Sequence, residues 1–449
     1  MIGLVASACG GGGADGPEPE VRQVAVELAA TPIRDLDLLF VIDDSIGMVE
    51  AQLNLATGFP GFFDRLQAVP AGRPNLHLGI ISTDVGTRAS VGGASAPPIG
   101  QIGLGGCGGS GKAGVLQTNN TPVTDRFVID VEGPSGGRMT NYTGSLAQVF
   151  RQMVVLGAGG CGFEQPLAAL RLALENNPTN AGFLRPDGVL GVIFLTDEDD
   201  CSASSTSMFM NNAALGPLES FRCTRFGVTC EVGGRTPDEM NQVGEKGGCG
   251  PSASSDLLDD VVRHGDFLHA LKSDDRRVVV GAIGGPSTPI AVELRSPPGG
   301  GTPMPALEHV CAQEPVGADP AVRLQAFVDS FQERSAVTPI CSRDLSGSLT
   351  PIANVLRRAM GSPCVDVALA DIDPATEGLQ VDCLVSDLTP GPSAIAPCEE
   401  DPSARPCWEL QPDAASCGSS PAPHLKLVVQ RAAAPDPRTV TRMDCRLAK

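Results

Sequence analysis

Fifteen cysteines, an odd number, are dispersed along the chain from Cys9 to Cys445. That many thiols are a liability in a reducing cytosol, so their spread points to an oxidising compartment and a disulfide framework. Zinc ribbons would need CxxC pairs with histidines nearby. The closest cysteines are Cys223 and Cys230, and the 5 histidines are scattered, which sets zinc aside.

The unpaired cysteine has an explanation at the N-terminus. Met1-Ile-Gly-Leu-Val-Ala-Ser-Ala-Cys9 is a short apolar run ending in small residues before a cysteine, the pattern of a bacterial lipoprotein signal over 1–9. Cys9 is then the lipid-bearing residue, and the Gly/Pro-rich stretch 10–34 serves as a tether that closes in an edge strand. The fourteen other cysteines suffice for seven disulfides. No later stretch approaches the ~20 continuous apolar residues of a membrane-spanning helix, so a lipid on Cys9 would be the sole membrane attachment. The expected location is a bacterial cell envelope, lipid-anchored in the outer membrane or periplasm, or the secreted space.

Charge narrows the partners. With 52 acidic against 32 basic side chains the net charge is −20, which argues against nucleic acid and anionic lipid surfaces, both of which are bound by surplus Lys and Arg. At 449 residues and 42% hydrophobic, the chain can build two or more domains.

Apolar runs at 36–42, 76–84, 127–131, 189–196 and 277–283 read as strands, the first of the kind buried on both faces. Helical spacing appears at 53–66, where Pro60 and Gly61 should kink or divide the helix, and at 145–156, 166–175, 256–272, 320–335 and 347–360. This alternation predicts an α/β fold, a Rossmann-like doubly wound, mostly parallel sheet over 35–360 with insertions at 86–125 and 201–255. Six cysteines fall after residue 360, where short alternating strands predict a small disulfide-rich β module over 361–449.

In such a sheet, ligands bind beyond the carboxyl ends of the central strands. Asp43 and Ser45 follow the first of these strands and Asp197 follows the fourth, offering hard oxygen ligands of the kind Mg²⁺ takes. These residues resemble the von Willebrand factor A family, whose metal site uses a D-x-S-x-S loop, a threonine from a later loop and an aspartate from a T-D pair. Asp43 and Ser45 match the loop and Thr196-Asp197 matches the pair; the resemblance spans about 36 to 360. Gly47 stands at the second serine and Gly159-Gly160-Cys161 where the family reads G-G-T, so two ligands are missing; Glu164, Gln165 and Asp84 are the available substitutes. With the Cys-rich decoration, the chain looks like secreted A-domain lipoproteins of myxobacterial type. Fold position would pair Cys161 with Cys201 and Cys311 with Cys341.

The resemblance implies a non-enzymatic envelope lipoprotein. Asp43, Ser45 and Asp197 would hold a divalent cation, Mg²⁺ or else Ca²⁺ or Mn²⁺, and a protein partner would dock on the metal-site face, as in adhesion. The alternative is a degenerate, metal-free scaffold in an envelope assembly. A bland account also exists, with Asp43 and Ser45 capping the first helix and Asp197 to Asp200 forming a solvated loop. Metal-assisted hydrolysis at the Asp197 cluster, with Asp199 its best candidate base, lacks a nucleophile. Gly106 to Ala113 imitates a phosphate-binding loop but has no hydroxyl after Lys112, and His264 and His269 fall on different helix faces.

Overall fold

An apolar run is stable as a strand when both its faces are covered, and the segment after Asp35, apolar but for the buried Asp37, meets that condition. In the computed structural model, which describes residues 23–119, 121–297, 300–311, 317–389, 391–418 and 420–448, this segment is β2 (Asp35–Ile42), preceded by β1 (Gln23–Ala29). Then come α1 (Val49–Gln67), β3 (Asn75–Ser82), β4 (Val128–Glu132), β5 (Arg138–Thr140), α2 (Leu146–Val154), α3 (Pro166–Leu174) and β6 (Val189–Leu195). The middle of the chain carries α4 (Phe221–Gly227), β7 (Val228–Val232), α5 (Pro237–Met240), β8 (Gly244–Pro251), α6 (Val261–Ala270) and β9 (Val278–Gly284). After it follow β10 (Ile290–Arg295), β11 (Met304–Leu307), α7 (Val322–Asp329), β12 (Ser335–Pro339) and α8 (Ser346–Ala359). The last strands are β13 (Cys383–Asp387), β14 (Ser393–Pro397), β15 (Cys407–Pro412), β16 (Leu425–Gln430) and β17 (Val440–Arg446).

These strands form three sheets, which corrects the expectation of one Rossmann-like doubly wound, mostly parallel sheet with a small module appended. The seven-stranded sheet runs β12-β9-β6-β2-β3-β4-β5 and is mixed, because β4 and β5 join antiparallel. A four-stranded antiparallel sheet, β11-β10-β8-β7, grows out of the predicted insertion and the loop after β9. The third is six-stranded, β1-β17-β13-β14-β15-β16, and takes its edge strand from the N-terminus. Of the fourteen strand pairings among the described residues, nine are antiparallel, and strands (28%) outweigh helices (23%). The apolar runs identified the buried parallel strands; the short half-exposed strands of the four-stranded sheet lack that signature and fall in segments that read as insertion or loop.

Residues on alternate sides of β2 enter different cores. Leu36, Leu38, Phe40 and Ile42 pack with α1, α2 and α8, whereas Leu39 and Val41 pack with α3, α6 and α7. Phe40 sits among Phe59, Phe62 and Phe150, with ring centroids 5.0 Å apart for Phe150, and Phe59 stacks on Phe150 at 3.8 Å. This aromatic packing also explains why α1 is one helix despite Pro60. Phe59, Phe62 and Phe63 are buried, while Pro60 and Gly61 face solvent, where the missing N–H costs least.

Seven disulfides tie the described residues together: Cys107–Cys161, Cys201–Cys223, Cys230–Cys249, Cys311–Cys341, Cys364–Cys417, Cys383–Cys445 and Cys398–Cys407. Cys311 pairs as fold position suggested. Cys161 pairs with Cys107 and Cys201 with Cys223, because the 86–125 segment folds back over the Gly159 loop, an approach that the order of elements does not reveal. Cys9 lies outside the described residues.

Replacing Phe40 with alanine empties a site bounded by three aromatic rings and is expected to cost about 3–5 kcal/mol, measured by denaturant unfolding. Peptide mapping without reduction should recover Cys107 linked to Cys161, and no peptide linking Cys161 to Cys201.

Candidate functional site

Strands β3, β2, β6 and β9 run parallel, so their carboxyl ends open on one edge of the sheet. From β2 the chain leaves to the face covered by α1, and from β6 it reaches the face covered by α6, so the connections diverge between these two strands. Register does the rest. Ile42 pairs with Leu195, so Asp43 and Thr196 are the next residues on adjacent strands, and the Asp43 N–H donates to the Leu195 carbonyl at 2.9 Å.

Asp43 is fully buried. Its Oδ1 accepts the Ser45 N–H at 2.8 Å and its Oδ2 accepts the Thr196 hydroxyl at 2.9 Å. Neither Asp43 nor Ser45 caps α1, whose N-cap is Met48 without a side-chain bond, so the capping account does not hold. Asp197 reaches the same place from β6: a Cβ on Gly47 would lie 3.8 Å from its Oδ2. Gly47 has φ +111°, a conformation that favours glycine, which is a backbone reason for the missing serine. Cys161 is held in its bond to Cys107, so its sulfur is not a cation ligand.

Glu164, from the loop before α3, is buried beside them, and neither of its carboxyl oxygens finds a donor when ionised. Its neighbours are Glu198, Asp43 and Asp197, and burial together with those charges pushes its proton affinity well above the carboxylate range. Protonated, it hydrogen-bonds to Glu198. Burial likewise raises Asp43, and raises Asp197 well above its usual value, with Asp43 adding to the latter. Glu198 is pushed up to about 8, by burial first and then by Asp319. The basic side chains on this edge lie to either side: Lys112 pairs with Asp44, and the His309 Nδ1 lies 2.9 Å from Asp319. Four carboxyl groups, Asp43, Glu164, Asp197 and Glu198, therefore gather with no basic side chain salt-bridged to any of them among the described residues.

The rest of the acidic run is structural rather than solvated. Asp199 accepts the Arg323 and Leu324 N–H groups at the start of α7, and burial lifts it to about 6 against those bonds. Asp200 accepts the Leu167 N–H at the start of α3 and pairs with buried Arg323 at 3.0 Å. With its lone pairs so engaged, Asp199 is poorly placed as a base. Lys112 of the phosphate-loop lookalike is spent on Asp44, whose Oδ1 also accepts the Ser82 hydroxyl at 2.5 Å. His264 faces Asp259 and His269 faces Asp275, each at 3.5 Å, on separate partners. Of the substitutes named from sequence, Glu164 joins the cluster; Asp84 instead accepts the Gly86 N–H, and Gln165 bonds Gly86 and Ala203. Asp319 was not legible, since its loop reaches the site through a contact distant in sequence, its N–H bond to the Asp197 carbonyl at 2.8 Å.

Among the described residues no group of three or more His, Cys, Asp or Glu side chains that could hold a metal ion is found. The donors present are hard oxygens, the type a divalent ion takes, and the Glu164 carboxyl accepts no hydrogen bond.

No family model and no curated protein matches the chain. One similar solved structure is the pilus adhesin (RrgA) from Streptococcus pneumoniae, 11% identical, with a TM-score of 0.27 over 95% of this chain and 58% of that one. The chain thus spans less than two thirds of that adhesin, and a likeness at this level leaves function to be argued from the chain's own residues. What the structure defines is a disulfide-rich protein of an oxidising, extracytoplasmic environment. No described helix is long and apolar enough to cross a membrane.

The carboxyl cluster makes stability depend on pH with a definite sign. Glu198 has an ordinary value of 4.5 and a folded value of about 8, so between these the native state holds more protons than the unfolded chain. Stability is then full below about 4.5 and falls as pH rises towards 8. In chelator-containing buffer the thermal midpoint should fall from pH 5 to pH 8, and Glu198→Gln should flatten that fall.

Proposed function

We propose that this chain is a non-enzymatic extracytoplasmic binding protein that holds a divalent cation, Mg²⁺ foremost and otherwise Ca²⁺ or Mn²⁺, at Asp43, Ser45 and Asp197. Glu164 stands in for the ligands lost at Gly47 and Cys161. The observation that carries this reading is the Glu164 carboxyl, buried, without a donor and facing three other acidic side chains. Burying uncompensated carboxylates is costly, and either protons or a metal ion must offset the charge. Resemblance of the D-x-S and T-D segments to the von Willebrand factor A metal loop supports the reading at the level of these two loops. When bound, the ion supplies a positive centre with a coordination position open to an anionic oxygen of a protein partner, in keeping with adhesion at an envelope surface and with a lipid on Cys9 as anchor.

The chain's own residues set the terms of that binding. Thr196 and the Ser45 N–H fix the Asp43 carboxylate in orientation, and Gly47 keeps the loop close to Asp197. A second reading, a metal-free scaffold in an envelope assembly, is favoured by the withdrawal of Cys161 into a disulfide.

The two readings differ in a calorimetric titration near neutral pH. If the site takes a cation, Mg²⁺ binds with release of protons, and at a hundredfold excess over its dissociation constant it stabilises the fold by about 2.7 kcal/mol. Asp43→Asn should abolish the effect and Glu164→Gln should weaken it at least tenfold. The cation assignment fails if Mg²⁺, Mn²⁺ and Ca²⁺ all leave the unfolding midpoint of the wild-type protein unmoved.

A further inference from the structure

A second place in the chain collects polar groups that the fold leaves unspent, and it shares no residue with the strand-end carboxyls. Its frame is rigid. The pairing of β7 with β8 is reinforced by Cys230–Cys249, and α4 is held by Cys201–Cys223. The loop from Ser252 to Leu257 is tied alongside the end of α4: the Ser252 N–H donates to the Gly227 carbonyl at 2.8 Å, and the Ser204 N–H donates to the Leu257 carbonyl at 2.9 Å. Side chains 252 to 256 of this loop are short, so they leave space that close packing would otherwise fill. A cavity of about 400 Å³ remains, a size that suits one small organic molecule.

Leu215, Phe226, Val228 and Leu257 make its walls apolar. The polar groups that line it still have hydrogen-bonding capacity. Arg225 is 8% exposed; its Nε donates to the Pro237 carbonyl at 3.0 Å and its Nη2 to Asp238 at 3.1 Å, which leaves Nη1 without an acceptor among the described residues. Ser252 is likewise 8% exposed, and its hydroxyl has no partner among the described residues. Arg235 spends its Nε on the Glu231 carbonyl at 2.9 Å and keeps both terminal nitrogens of its fork. The Ser255 hydroxyl accepts the Leu257 and Leu258 N–H groups and retains its own hydrogen to donate. Donors therefore predominate, and among the described residues Asp256 is the one acidic side chain of the lining.

Charge points the same way. Arg222, three residues before Arg225 on α4, is buried, donates to four backbone carbonyls and forms no salt bridge among the described residues. It bonds the Gly216 carbonyl, and a Cβ on Gly216 would lie 2.9 Å from the Arg225 Nη1, so the two guanidinium groups flank one residue. Asp238, the partner of Arg225, has a side chain 92% exposed and offsets little of this charge. Buried cations without a close counter-charge favour an anion beside them. The net charge of −20 does not oppose this, since acidic groups beyond the Debye length of about 8 Å are screened at physiological salt.

We propose that this cavity binds a small organic carboxylate with an apolar body, the carboxylate held by Arg225, Arg235 and the Ser252 hydroxyl and the body lying against Phe226 and Leu257. A guanidinium presents a planar fork of donors that matches the two oxygens of a carboxylate. An amine would meet two cations, and a dianion such as a phosphate monoester would set a second negative charge beside Asp256. The assignment is independent of any divalent cation at Asp43 and Asp197.

The test is isothermal titration calorimetry on the full chain, with phenylacetate, phenylacetamide, phenethylamine and acetate as probes, in EDTA and in Mg²⁺. Phenylacetate should bind saturably and equally in both buffers. Phenylacetamide lacks the charge and acetate the apolar body, and each should bind at least tenfold more weakly. Arg235→Gln, at an exposed position, should weaken phenylacetate at least tenfold, as should Arg225→Lys, which keeps the charge and loses the fork. Asp256→Asn should strengthen it severalfold by removing a like charge. Unfolding midpoints establish that each variant folds, and Arg235→Gln decides the matter if Arg225→Lys does not. The proposal is overturned by no binding of phenylacetate to the wild type, by equal binding of phenylacetamide, or by wild-type affinity in Arg235→Gln. Tighter binding of phenethylamine, lost in Asp256→Asn, overturns it in favour of a cationic ligand. Acetate binding as tightly as phenylacetate overturns it by reducing the cavity to an adventitious anion site. Binding that requires Mg²⁺ overturns it by moving the carboxylate to the strand-end cluster.

Discussion

Burial of β2 on both faces is the constraint from which the site follows. Its alternate side chains supply two separate cores, so the strand cannot slip by one residue without exchanging them. With β2 fixed in parallel register against β6, Asp43 and Thr196 are set side by side at the edge, and the hydroxyl-to-carboxylate bond between them follows from backbone pairing. The same register leads Asp197 into the mouth while directing Asp199 and Asp200 inwards, where they bind the first N–H groups of α7 and α3. One acidic run thus divides its work: its first member faces the site and its later members anchor two helices.

The site stores electrostatic free energy that the rest of the molecule must hold. Four carboxyl groups crowd together while the basic side chains nearby, Lys112 and His309, lie against Asp44 and Asp319, so burial and mutual repulsion raise their proton affinity. Such an arrangement persists when the surroundings are over-determined. Here the bracing is covalent as well as hydrophobic: Cys107–Cys161 and Cys201–Cys223 flank Glu164 and Glu198 in the chain and fasten the loops that carry them. In a protein poor in aromatic residues, at 4%, crosslinks of this kind take over part of the rigidity that large side chains otherwise provide.

How much of this was legible can be followed residue by residue. Asp43, Ser45 and Asp197 stood out because each follows an apolar run at which a buried strand had to end. Glu164 appeared as one substitute among three, and only its missing hydrogen-bond donors single it out. Asp319 gave no signal, since it belongs to an irregular segment whose place depends on its backbone bond to Asp197. The fold expectation failed for a related reason. Short strands such as β7, β10 and β11 bury one face or less, and their pairing is set by the turns and bridges around them.

What the sequence determined by itself was the chemistry at hand: a disulfide-forming, acidic chain with buried strands that end in carboxylates. These follow from composition and from hydrophobic runs, which act locally along the chain. The tertiary structure decided which carboxylates meet, which are spent on helix ends and which cysteines pair. Each of these rests on contacts between residues distant in sequence, and the free energy of such contacts belongs to the folded arrangement rather than to any one segment.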